Sequence, residues 1–133
     1  MKRLLLVDDD DEIVLNSLST LLSQKGYSVL TAQSGSDALD TLKKSKVDII
    51  IMDHRMPDMT GLEVFKIIKK LYPDIIRIMI TGDPDLTAFI PAIKNGDIEH
   101  YICKPWNYET LMFRLRMITQ GHKVVDPLYS HHI

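Results

Sequence analysis

The 133-residue chain has one cysteine, Cys103, so it cannot close an internal disulfide. That fits a reducing compartment, and its place in the apolar run Tyr101-Ile102-Cys103 marks it as a buried strand residue rather than a nucleophile. No apolar stretch approaches the ~18 residues of a membrane span, and Met1 runs directly into a strand-like segment with no signal peptide. A cytoplasmic protein without a membrane role is the expectation. An excess of positive charge is also missing: 16 basic residues face 18 acidic ones, for a net −2. The lysine groups at 43, 44 and 46 and at 66, 69 and 70 are short and read as solvated helix faces, so direct nucleic-acid binding is not expected. Repeats, low-complexity segments and an internal linker are absent, and no Gly-rich phosphate loop follows the first apolar run, which argues against a nucleotide-binding protein.

What is present is a chain that is 45% hydrophobic and long enough for one ordinary domain. Five short apolar runs cover residues 4–7, 27–31, 47–52, 75–80 and 99–103. The third and fourth are nearly all Ile, Val or Met, as in strands buried on both faces of a parallel sheet. Helical patterns lie between them. Val14, Leu18, Leu21 and Leu22 form one stripe, which Gly26 stops. Ser34 opens a second helix with Ala38, Leu39 and Leu42. Thr60 and Glu63 have capping-box spacing ahead of Phe65, Ile68 and Tyr72, and Pro73 ends that helix. Asp83-Pro84 reads as an N-cap with proline at the first helical position, and Asn107 caps a last helix bearing Leu111, Leu115 and Ile118. The order is strand then helix, five times, which predicts a doubly wound α/β fold with a five-stranded parallel sheet. Pro91 falls inside the fourth helix, residues 84–95, so a kinked, shifted or short helix is expected there.

In such a sheet, ligands bind beyond the carboxyl ends of the strands. Asp8-Asp9 follow the first run, Asp53-His54-Arg55-Met56-Pro57 the third, Thr81-Gly82 the fourth and Lys104-Pro105 the fifth. Each has an ordinary reading: a helix start, a turn, a cap or a surface charge. Together they place several carboxylates, a hydroxyl and an ammonium on one edge. Clustered carboxylates repel one another unless a divalent cation sits among them, and all-oxygen ligands suit Mg²⁺ or Mn²⁺. A hard cation, a lysine and a hydroxyl would receive a dianionic phosphoryl group, and a carboxylate beside them can be the nucleophile.

Four motifs, VDDD, IIIMDHRMPDMTG, MITG and YICKPW, in this order resemble the receiver domain of bacterial response regulators over roughly residues 2–120. The resemblance implies a flavodoxin-like fold with five helices and strand order 2-1-3-4-5. It implies that Asp53 takes a phosphoryl group from a sensor histidine kinase or phosphotransfer protein. Asp8, Asp9, Asp53 and the backbone carbonyl of Arg55 would hold Mg²⁺, with Asp8 acting through water. Thr81 and Lys104 would bind the phosphoryl oxygens, Tyr101 would be the switch aromatic, and the Lys104–Pro105 bond would be cis. The protein is then a phosphorylation-regulated switch with self-catalysed phosphotransfer and autodephosphorylation, not an enzyme in the ordinary sense.

The same resemblance divides the chain into a receiver, 1–120, and a tail or truncated linker, 121–133, whose His122, His131 and His132 lack metal-site support. An output domain in cis, a partner protein or a homodimer is open. The KPW ending resembles a subgroup often joined to phosphohydrolase, cyclase or histidine-kinase domains. Asp97 stands where a small residue is usual. Arg55 and Asp83 could pair at the mouth of the site, or remain two independently solvated charges. A Mg²⁺-dependent phosphohydrolase of the haloacid-dehalogenase type would need an acid two residues after its nucleophile, where this chain has Arg55. A degenerate receiver is opposed by the complete set Asp8, Asp9, Asp53, Thr81 and Lys104. Of the acidic run, Asp8 and Asp9 fall to the metal, Asp10 and Asp11 open the first helix, and Glu12 reaches back as a solvent-facing capping side chain.

Overall fold

A computed structural model describes residues 2–7, 12–56, 58–81, 86–103 and 108–119. The elements alternate as expected: β1 (Arg3–Val7), α1 (Glu12–Gln24), β2 (Ser28–Ala32), α2 (Gly35–Lys44), β3 (Ile49–Asp53), α3 (Gly61–Leu71), β4 (Ile76–Thr81), α4 (Ile90–Lys94), β5 (His100–Cys103) and α5 (Tyr108–Thr119). All strands are parallel, in the order β2-β1-β3-β4-β5. This is the doubly wound, flavodoxin-like arrangement.

Alternating side chains feed two cores, one on each face of the sheet. Leu5, Val7, Ile50, Met52, Met79 and Tyr101 pack with α2, α3 and α4 residues such as Ala38, Phe65, Ile68 and Ala92. Leu4, Leu6, Ile49, Ile51, Ile78 and Ile102 pack with Leu15, Leu18 and Leu22 of α1 and with Leu111, Leu115 and Ile118 of α5. The α1 stripe therefore runs through Leu15, Leu18 and Leu22. Leu21, expected in the stripe, is 36% exposed, because it lies one residue short of the face that meets the sheet.

Local signals set the helix ends. Ser34 caps α2 by accepting the Asp37 N–H at 3.0 Å, and Thr60 and Glu63 form the full capping box of α3. Gly26 adopts φ +97°, and past it the Tyr27 amide returns to the Leu22 carbonyl. β2, β3 and β4 begin and end one or two residues later than their apolar runs. β3 and β4 thus extend to Asp53 and Thr81, polar residues that the parallel ladder holds by pairing them with Ile80 and Cys103.

The fourth helix is short and shifted. In place of a helix over 84–95 there is a 3-10 turn, Leu86–Phe89, followed by five α-helical residues with Pro91 in the first turn. Proline is tolerated only where its missing N–H has no helical partner, so it fixes where α4 starts. The Asp83 cap and the Asn107 cap lie outside the described residues.

So short a helix is held from outside. Arg77, a charge inside the apolar run of β4, is buried, and its guanidinium donates to the carbonyls of Ile75 (3.0 Å), Gly96 (3.0 Å) and Asp97 (3.1 Å). It also approaches the Glu99 carboxylate at 3.3 Å. Lys69 of α3 donates to the Asn95 carbonyl and pairs with Asp97 at 3.4 Å, so this lysine is a tie rather than part of a solvated face. Asp97 is buried by these contacts. A surface groove lined by residues 42–47 and 71–75 lies at the opposite end of the sheet from Asp53.

Replacing Arg77 by Ala strands the carbonyls of Gly96 and Asp97 in the α4–β5 turn and of Ile75 ahead of β4. We expect a loss of roughly 3 kcal/mol, read as a lower urea midpoint at unchanged m-value. Arg77→Lys recovers little of it, because an ammonium lacks the planar fork.

Candidate functional site

The register brings the ends of four strands to one edge. Val7 lies level with Met52, Asp53 with Ile80, and Thr81 with Cys103. The chain leaves β1 at Val7 just where the order reverses between β1 and β3, the position at which open α/β sheets bind ligands. Asp53 is only 5% exposed and Thr81 only 3%. Asp8, Asp9 and Lys104 lie outside the described residues, as do Asp10, Asp11, Asp83 and Pro105.

Asp53 is the last residue of the central strand, and its backbone continues straight into the ladder: the His54 N–H reaches the Ile80 carbonyl at 3.2 Å. The Arg55 N–H donates to Asp53 Oδ1 at 3.0 Å, which fixes the 54–55 peptide relative to the carboxylate. The loop then closes on itself, the Gly61 N–H donating to the His54 carbonyl at 2.8 Å. Only glycine fits at that point. A Cβ on Gly61 would stand 2.8 Å from the Asp53 carbonyl oxygen and 3.0 Å from His54 Cα. The His54 ring meets Phe89 edge-on, with centroids 4.9 Å apart, so the residue beside Asp53 touches the turn that leads into α4.

Thr81 and Met79 share one face of β4, and Tyr101 stands level with Met79 on β5. Tyr101 is buried on that face, in the core that contains Phe89 and Ala92. Its carbonyl accepts a hydrogen bond from Arg114 of α5 at 2.9 Å. Arg114 is itself buried, a link between α5 and β5 that helical periodicity did not announce. Cys103 ends β5, as its apolar run suggested.

A further residue was missed. Asp58, in the loop between β3 and α3, accepts the Gly35 and Ser36 N–H groups at 2.9 Å each and the Met59 N–H at 3.0 Å. The Ser36 hydroxyl together with the Ser36 and Gly35 amides holds its carboxyl down at about 2. In sequence it is one more acid in a turn, and only the meeting of two βα units reveals its partners.

The donors present fit a hard divalent cation. The Asp53 carboxylate is a hard oxygen donor of the kind such a cation prefers, and the His54 ring beside it packs edge-on against Phe89.

A five-stranded parallel sheet in this order, with a buried aspartate beside its switch point and a buried threonine ending the next strand, is a flavodoxin-like domain with a polar edge at the usual ligand position. The family model described as "Response regulator receiver domain" matches residues 4–116, and the chain belongs to that family. It is 37% identical over 108 residues to the transcriptional regulatory protein GlrR of Escherichia coli (strain K12), covering 81% of this chain and 24% of that protein. A response regulator MprA of Mycobacterium sp. (strain KMS) is 33% identical over 86% of this chain and 49% of its own length. The chain thus spans a quarter to a half of such relatives. Among solved structures, the signal receiver domain of an HD domain-containing protein from Pseudomonas fluorescens Pf-5 aligns with TM-score 0.81 and 36% identity, over 90% of this chain and 88% of that one. The response regulator TrrA of Thermotoga maritima, in complex with Mg²⁺ and BeF, aligns with TM-score 0.76 and 29% identity, over 89% and 99%. Among the described residues no helix is long and apolar enough to cross a membrane.

Two outcomes follow from this geometry. Gly61→Ala must push the loop off the Asp53 carbonyl, and we expect a loss of about 1–3 kcal/mol in chemical denaturation. Asp58, with its folded pKa depressed from 3.8 to about 2, stabilises the fold above the unfolded value, and that contribution fades as pH falls through about 2. Denaturant midpoints of the wild type and Asp58→Asn should therefore differ near neutrality and converge at about pH 2.

Proposed function

We propose that Asp53 is the phosphoacceptor of this receiver, taking its phosphoryl group from a phosphohistidine on a sensor histidine kinase or phosphotransfer protein. The observation that carries the reading is the buried Asp53 carboxylate at the carboxyl end of the central strand. A carboxylate oxygen attacks phosphorus, an aspartyl phosphate forms, the P–N bond breaks, and the imidazole leaves with the electron pair and takes up a proton. Asp8, Asp9, Asp53 and the Arg55 carbonyl would hold Mg²⁺, or Mn²⁺ in its place. Bound there, the ion offsets the negative charge that the carboxylates and phosphoryl oxygens bring together. The Thr81 hydroxyl and Lys104 ammonium meet the phosphoryl oxygens. The acyl phosphate is later lost to water, so the domain is a timed switch rather than a turnover enzyme.

The readout runs through the α4–β5–α5 side. An aspartyl phosphate carries about −2 charge and strong acceptor oxygens, and it draws Thr81 toward it. Tyr101 is buried on the same sheet face as Thr81, which supports its reading as the switch aromatic; phosphorylation would raise the population of the state in which it fills the space Thr81 leaves. The receiver spans 1–120, with 121–133 as tail or linker, and acts in the cytoplasm on an output domain in cis, a partner protein or a second copy. Any nucleic-acid binding would belong to such an output domain; the relatives include transcriptional regulatory proteins.

The test is covalent labelling. With Mg²⁺ and a small phosphodonor such as acetyl phosphate, the wild-type chain should gain one phosphoryl mass, and Asp53→Asn none. An unlabelled wild type, or stoichiometric labelling of Asp53→Asn, would overturn the assignment. Size measurement with and without beryllofluoride and Mg²⁺ separates a homodimer from the other outputs.

A further inference from the structure

The loop of residues 54–60 starts and ends at one point, because the His54 carbonyl receives the Gly61 N–H. Its near end is fixed by the Arg55 N–H on Asp53 Oδ1. Its far bend is held by something outside its own βα unit. Gly35 and Ser36, the first two residues of α2, aim their N–H groups at the two oxygens of Asp58. The third free amide of that helix, on Asp37, is taken by Ser34 instead. The positive end of α2 is therefore shared between its own cap and a carboxylate 22 residues away.

The two surfaces fit closely. A Cβ on Gly35 would lie 3.1 Å from Met59 Cβ and 3.4 Å from Asp58 Oδ1, so the loop rests directly on the start of the helix. Met56 and Met59 add apolar contact to the core, but apolar contact does not set the direction of a peptide. Two short charge-assisted hydrogen bonds do.

We propose that Asp58 is a positioning residue for the phosphoacceptor site: by bridging to the start of α2 it holds the loop in the shape that presents the Arg55 carbonyl beside Asp53. The proposal rests on the reading of Asp53 and the Arg55 carbonyl as oxygen donors to Mg²⁺. Asp58 touches neither metal nor phosphoryl group. It acts through the two residues that separate it from Arg55.

The test compares Asp58→Ala, Asp58→Asn and Ser34→Ala in the full chain. Mg²⁺ affinity is measured by calorimetry, and the rate of labelling by acetyl phosphate is followed against Mg²⁺ concentration. We expect Asp58→Ala to bind Mg²⁺ roughly tenfold more weakly, a size usual for residues that orient metal ligands. Its labelling rate should recover at saturating Mg²⁺, because the reacting groups are intact. Asp58→Asn, which keeps one acceptor oxygen, should fall between and serves the comparison if the alanine variant does not fold. Ser34→Ala loosens the same helix end without touching the loop, and it should keep wild-type Mg²⁺ affinity. Unchanged Mg²⁺ affinity in both Asp58 variants overturns the proposal, as does an equal loss in Ser34→Ala. A wild type that neither binds Mg²⁺ nor accepts phosphoryl overturns the underlying site reading, and the proposal with it.

Discussion

The parallel ladder of β3 does not stop where its apolar residues stop. It runs one residue further, to Asp53, and then passes the His54 amide to the Ile80 carbonyl. Everything else at this edge depends on that continuation. It keeps a carboxylate almost out of water at a fixed height, level with the end of β4 and on a strand that borders the point where the sheet order reverses. A strand frayed by one residue would leave Asp53 on a loop, with its oxygens free to turn to solvent.

The loop after Asp53 is determined from several sides. Gly61 closes it at a distance no side chain allows, and Asp58 ties its bend to another helix. Hydrogen bonds to backbone groups carry most of this, with side chains acting as caps on neighbouring elements. The same principle holds at the other end of the molecule, where Arg77 gathers the carbonyls of the turn between α4 and β5. Between these anchored regions lie a 3-10 turn and a five-residue helix. Phe89 of that turn meets the His54 ring, so this segment touches the residue next to Asp53.

Much of this was legible in the chain. The central buried strands announced themselves as runs of nearly all Ile, Val and Met, the caps of α2 and α3 by Ser34 and the Thr60–Glu63 pair, and the stop of α1 by Gly26. Pro91 predicted a short or shifted fourth helix, and the residues after each strand marked the edge where Asp53 and Thr81 meet. Less visible was the exact face of α1. A stripe through Leu21 differs from one through Leu15 by less than the spread of an apolar face, and only the sheet beneath decides between them.

The sequence by itself determined the kind and order of the elements, because period, capping and chain-breaking residues act over a few positions. It also named the polar residues at the strand ends, since a polar residue closing a buried strand is conspicuous. Only the tertiary structure decided the register that aligns Asp53 with Ile80, the pairing of Asp58 with the start of α2, and the partners of Arg77 and Arg114. Those contacts join groups that are far apart in the chain. Their formation depends on where the two cores fix the strands and helices, and no local pattern encodes that position.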